Sequence, residues 1–190
     1  MSRFILASGS TYKRGLLTQL DVTFESIASD VDETPLPDES PLQVAQRLAL
    51  AKAVAVGAQH PDALVLGCDQ VVALGDRQFH KPETHERAVD QLMALQGRVH
   101  DLFCSIALVR PNGEPLEATV TYAMEMRALT RAQADAYIAL DTPLDCCGSY
   151  ALEAHGVRLF SSMRGDDHTA IIGLPLTRVQ TLLERAGYFP

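Results

Sequence analysis

Asp69 is the residue in this sequence best placed to do chemistry. It closes the apolar run Leu64-Val65-Leu66-Gly67-Cys68, which has the composition of a central strand, and ligands of α/β proteins gather at strand ends. A carboxylate there can hold a divalent cation or take a proton from water, and either serves attack on a phosphate. A turn-capping aspartate is the structural alternative. A second group lies where Phe4-Ile5-Leu6-Ala7 empties into Ser8-Gly9-Ser10-Thr11, with Lys13-Arg14 and a helical spacing after it. Backbone N–H groups at such a strand–loop–helix junction suit an anion. Ser8 and Ser10 add hydroxyls, and Arg14 offers a planar fork for phosphate oxygens. The same residues read equally well as an ordinary turn with Ser10 or Thr11 as N-cap beside a solvated Lys13-Arg14 pair.

Asp30, Asp32 and Glu33 supply further carboxylates, and Lys52 and Lys81 supply cations. Lys52 stands four residues beyond Leu48, at the border of a buried helical stripe. Lys81 precedes Pro82, which holds its backbone extended. A metal-dependent phosphate enzyme needs these parts: carboxylates, scattered cations and a serine-rich loop. Asp30-Val31-Asp32-Glu33-Thr34 also looks like the nucleophile motif of haloacid-dehalogenase phosphatases, with Asp30 as nucleophile and Gly165-Asp166-Asp167 as a metal loop. Ser29 and Pro35 break that pattern on either side. The six histidines show no metal-binding spacing, and Cys68 beside Asp69 reads as a small buried side chain rather than a thiolate nucleophile.

The elements that must position these groups are legible from periodicity and punctuation. Val22 to Ala28 reads as a second strand, followed by an acidic, proline-bearing loop. Ser40-Pro41-Leu42-Gln43 opens a helix with a capping box, and Val44, Leu48, Ala51 and Ala55 form its expected buried stripe. Gly75-Asp76 is a hairpin turn between two apolar segments. Thr84 starts a helix that Gly97 ends. Leu102 to Val109 and Leu116 to Met126 read as long strands, the second with Leu116, Ala118, Val120, Tyr122, Met124 and Met126 on one face. Thr130-Arg131-Ala132-Gln133 is another capping box, and Pro175 to Ala186 is a closing helix ended by Gly187. Helices and hairpins together predict an α/β fold with a mixed sheet.

The chain has 190 residues, of which 47% are hydrophobic and 21% charged, and is read as one domain over 1–190. Its net charge of −8 argues against a nucleic acid polymer as partner but not against a nucleotide carried with a metal. The sequence shows no charged leader and no membrane span, and its four cysteines show no CxxC spacing, so a cytoplasmic setting is expected.

Taken in order, Leu6-Ala7-Ser8-Gly9-Ser10 through Arg14, Asp32-Glu33, the helix with Lys52, Gly67-Cys68-Asp69-Gln70, Lys81-Pro82, Gly148-Ser149-Tyr150 and Ile172-Gly173-Leu174-Pro175-Leu176 resemble the Maf family of nucleoside triphosphate pyrophosphatases nearly end to end. The resemblance implies a mixed, elongated β-sheet flanked by helices. It implies hydrolysis between the α- and β-phosphates with Mg²⁺ or Mn²⁺, a cytoplasmic site of action and homodimers. It implies Asp69 as proton acceptor, Glu33 and Asp69 on the metal side, and Ser8, Ser10, Arg14, Lys52 and Lys81 on the phosphate side. Tyr12, Gln70 and Glu153 resemble the branch that acts on 7-methyl-GTP, although a tryptophan would be expected at position 12. A carboxylate such as Glu153 can accept from guanine's N1–H and amino group, and a cationic methylated base would gain about 0.5–2 kcal/mol by stacking on Tyr12. A non-catalytic nucleotide-binding regulator of cell division is the reading from a different class.

Overall fold

The computed structural model describes residues 3–111 and 113–188. The elements in chain order are β1 (Phe4–Leu6), α1 (Thr11–Leu17), β2 (Glu25–Ser26), α2 (Pro41–Gly57), β3 (Leu64–Leu74), β4 (Arg77–Phe79), α3 (His85–Leu95), β5 (Val99–Arg110), β6 (Gly113–Met126), α4 (Arg131–Asp141), β7 (Phe160–Arg164), α5 (Thr169–Ile172) and α6 (Leu176–Arg185). The strands form one seven-stranded sheet in the order β2-β1-β3-β5-β6-β7, with β4 paired to β3. β1 runs parallel to β2 and β3, while β3–β4 and β6–β7 are antiparallel, so the sheet is mixed as expected. Residues group into two compact units: one comprises residues up to 70, 104–120 and 167 onwards, the other 71–103 and 121–166.

In the first unit β1 is buried along its whole length, and Ile5, Ala7, Val56, Ala63 and Val65 form one apolar cluster. β2 is shorter than the strand expected over Val22 to Ala28. Its partner explains why: the ladder pairs Ile5 with Glu25 and Leu6 with Ser26, and β1 ends at Leu6, where the chain turns into the Ser8 loop. Helix α2 begins with the expected capping box, Ser40 accepting from Gln43 N and Gln43 bonding back. Its buried face differs from the expected stripe. Val44, Ala45, Leu48, Ala49, Lys52, Ala53 and Val56 are buried, whereas Ala51 and Ala55 are only half-buried.

Gly67 accounts for that face. A Cβ at position 67 would overlap the carbonyl oxygen of Ala49 and lie 2.7 Å from Ala53 N, so the backbone of α2 sits directly against β3. Only a residue without a side chain allows this approach. It turns the alanine face of α2 onto the sheet, with Ala49, Ala53 and Ala107 packed together.

In the second unit Thr84 caps α3 and Thr130 caps α4 with the expected capping box. Gly75-Asp76 forms the two-residue turn between β3 and β4. His100 is buried on β5, its Nε2 3.1 Å from the Tyr150 hydroxyl and its ring against Phe160. Its Nδ1 has no hydrogen-bond partner among the described residues. Burial lowers its pKa to about 4, from the ordinary 6.5. The unfolded chain takes up this proton near pH 6.5 and the folded protein only near 4, so stability is full above 6.5 and falls as the pH drops between them. We expect a loss of roughly 2–3 kcal/mol between pH 7 and 4.5 from this group, read as a shift in the urea midpoint. His100→Gln keeps a partner for Tyr150 but does not titrate, and should lose correspondingly less. Equal losses in both proteins would remove His100 as the source.

Candidate functional site

The centre of the site is an ion-pair trio in the first unit, two of its members buried. Asp69 follows Gly67 by two positions on β3, so both face α2. The close approach of α2 at Gly67 brings Lys52, one turn along from Ala49, over that carboxylate. Lys52 Nζ donates to Asp69 Oδ1 at 2.7 Å and lies 2.8 Å from Glu33 Oε1. Asp69 is 7% exposed and Lys52 9%, whereas the Glu33 side chain is 60% exposed. Burial raises the Asp69 pKa above the ordinary carboxylate value, although Lys52 pulls it down. The ion pair by itself would lower it. Burial prevails because this carboxylate has lost nearly all its water.

A clamp on α2 holds the loop that carries Glu33. Arg47 forms a two-pronged ion pair with Glu39, Nε to Oε1 at 2.6 Å and Nη2 to Oε2 at 2.9 Å, and Nη2 also donates to Thr34 O. In the loop after β1, Ser10 caps α1 by accepting from Lys13 N, and Ser8 Oγ accepts from Ser10 N at 3.1 Å. The turn reading of Ser10 is therefore realised. Capping uses only a lone pair of its hydroxyl, so it does not conflict with a donor role. Lys13 points inward, its Nζ donating to Cys68 O at 3.1 Å, while Arg14 is exposed. The Lys13-Arg14 pair is thus not simply solvated. Tyr12 is 37% exposed on α1. Gln70 Nε2 donates to the carbonyls of Ala170 and Ile171.

Lys81 and Glu153 lie in the second unit and are exposed. Lys81 precedes buried Pro82 after β4. The turn around Glu153 is pinned on both sides: Ala151 N donates to the Tyr137 hydroxyl at 3.0 Å, and His155 N donates to Asp141 Oδ2 at 2.9 Å. Cys68 is wholly buried, its Sγ donating to Gly173 O at 3.0 Å, which fits the packing role. Asp30 is exposed, and Asp167 accepts from Thr169 and Thr177 instead of lining a metal loop. That removes the physical support for a dehalogenase-type site.

The sequence profile of the Maf-like proteins matches residues 3–186. The chain belongs to the Maf family. The 7-methyl-GTP pyrophosphatase of Nitrosococcus oceani is 44% identical to this Maf chain over 185 residues, 97% of the chain and 93% of that protein. The 7-methyl-GTP pyrophosphatase of Cupriavidus pinatubonensis is 42% identical over 189 residues, 99% and 95% respectively. Among solved structures, the Ham1 protein of Staphylococcus aureus shares the fold, with a TM-score of 0.56 at 14% identity, covering 96% of this chain and 98% of that one.

Of the Maf residues expected from sequence to act, the structure brings Glu33, Lys52 and Asp69 into direct contact, and Ser8 with Ser10. Arg47 was not foreseen; the signal was a cation on the same helix as Lys52 with an acidic loop before it. Among the described residues no group of three His, Cys, Asp or Glu side chains converges as a metal site. Two carboxylates do converge, Glu33 and Asp69, both on the Lys52 ammonium. Two hard oxygen donors with phosphate oxygens completing the shell is a donor set that suits Mg²⁺ or Mn²⁺.

Proposed function

We propose that this Maf chain is a nucleoside triphosphate pyrophosphatase that prefers 7-methyl-GTP. The observation that carries the reading is Asp69, buried in the middle of β3 and ion-paired to Lys52 beside Glu33. The names of the similar proteins agree with it. Asp69 takes the proton of a water that attacks the α-phosphorus. The bond from that phosphorus to the bridging oxygen breaks, and pyrophosphate leaves with its electron pair. Lys52 and Lys81 offset the charge gathering on the departing group, and Ser8, Ser10 and Arg14 hold the phosphate chain. Glu33 and Asp69 would hold a divalent cation, which supplies charge neutralisation for the triphosphate when bound. Tyr12 stacks on the base, while Gln70 and Glu153 read its edge.

The reading includes a homodimer acting in the cytoplasm on free nucleotides, not on polymers. Among the described residues no helix is long and apolar enough to cross a membrane. Incubation of the purified protein with a panel of canonical and methylated nucleoside triphosphates and Mg²⁺ or Mn²⁺ tests the activity. The expected products are monophosphate and pyrophosphate, with the highest kcat/KM for 7-methyl-GTP. Orthophosphate as the first product would contradict the assignment, and nucleotide binding without turnover would favour a regulator. Sedimentation of the same preparation checks the dimer.

A further inference from the structure

Gln70 follows Asp69 directly, and its side chain is tied down. Nε2 donates 2.9 Å to Ala170 O and 2.8 Å to Ile171 O. An amide nitrogen carries two hydrogens, so both are spent on these carbonyls. Two carbonyl oxygens can only accept, which also fixes which end of the amide is nitrogen. The end of the amide that these bonds leave over is Oε1, an acceptor. It lies near Gly173, where a Cβ would stand 3.9 Å from it, and where a φ of +123° calls for glycine.

The two carbonyls belong to α5, a helix of four residues, too short to hold its own shape. Asp167 holds it. This carboxylate is 3% exposed. Oδ1 accepts from Thr169 N at 3.1 Å and Thr169 Oγ1 at 2.6 Å, and Oδ2 accepts from Thr177 N at 2.8 Å and Thr177 Oγ1 at 2.6 Å. Thr169 Oγ1 in turn accepts from Leu176 N at 2.8 Å. One side chain therefore pins the start of α5 to the start of α6, and nothing in the proposed chemistry uses it.

We propose that Asp167 is a positioning residue for base selection: by fixing α5 it holds Gln70 as an acceptor-only group, which favours a base edge bearing donors, as guanine's N1–H and amino group do, over an edge presenting acceptors. The proposal rests on the pyrophosphatase reading. A wrongly placed α5 would free the amide to rotate and offer its nitrogen, which blunts the choice without touching the phosphate chemistry.

The measurement is kcat/KM for 7-methyl-GTP and GTP against CTP, whose N3 and O2 are acceptors where guanine has donors, in wild type, Asp167→Asn, Gln70→Ala and the double variant. Asp167→Asn turns one acceptor oxygen into an amide facing the N–H and O–H donors of a threonine. The guanine-over-pyrimidine ratio should fall roughly 3–10-fold, the range of one misplaced hydrogen bond. Gln70→Ala should lower it similarly, and adding Asp167→Asn to Gln70→Ala should change it no further. Thr177→Val removes one of the four bonds and serves if Asp167→Asn does not fold; its ratio should fall in the same direction. An unchanged ratio in folded Asp167→Asn or Thr177→Val overturns the proposal, as does an independent effect in the Gln70→Ala background. Failure of the wild type to release pyrophosphate from any triphosphate would instead overturn the activity on which it stands.

Discussion

Replacing Asp69 by Asn is expected to lower kcat by roughly 10²–10⁴, the usual worth of a positioned proton acceptor. The amide has the size of the carboxylate, and Lys52 keeps Glu33 as a partner, so the fold should survive and nucleotide binding should remain measurable. The pH profile gives a second reading of the same group. Burial raises the Asp69 pKa above its ordinary 3.8, and the acceptor works only when ionised. Activity should therefore rise with pH through a limb placed above 3.8 in the free enzyme. Lys52 opposes the effect of burial, so Lys52→Met should move that limb to still higher pH besides lowering kcat. Wild-type turnover in Asp69→Asn would take the residue out of the mechanism. A limb that stays put in Lys52→Met would mean that another group sets it.

Gly67→Ala should destabilise the protein by roughly 3 kcal/mol or more, although it adds a single methyl group. The obstruction is backbone: the new Cβ would overlap the Ala49 carbonyl oxygen and lie 2.7 Å from Ala53 N. Backbone in mid-helix cannot swing aside as a side-chain tip can, so α2 must lift off β3 or the strand must bend. Lifting α2 also carries Lys52 away from Asp69, and a folded remnant should lose activity along with stability. Urea unfolding of Gly67→Ala beside a control substitution at exposed Gly15, where a Cβ meets nothing within 4 Å, separates the two effects. A wild-type midpoint for Gly67→Ala would show that the helix is not held as closely as described.

Local signals carried well from sequence to structure. The capping boxes at Ser40 and Thr130 are complete within four residues, and a Gly-Asp turn between apolar runs is equally self-contained, so each was legible before any packing was known. Asp69 was legible as a charge beside an apolar run, which is costly unless used or paired. Its expected place at a strand end was wrong: β3 continues through it to Leu74 because Val71, Val72 and Ala73 carry on the buried run. The face of α2 was not, because alanines at 45, 49, 51, 53 and 55 give no period, and the choice among them is made by Gly67 on another element. The short β2 was missed for a like reason: its length is set by where β1 stops. Asp167 read as part of a metal loop, and only the position of Thr177, ten residues on, shows its carboxylate spent on holding α5 to α6.

The spacing from Gly67 to Asp69 makes packing and chemistry a single unit of inheritance. Alternate residues of a strand share a face, so an insertion or deletion of one residue between them would turn the carboxylate to the far side of the sheet while leaving the helix seat where it is. Drift by length is thus closed to this segment, and change can enter only by substitution. The Asp69 carboxylate is indexed to the helix as a key is indexed to its notch.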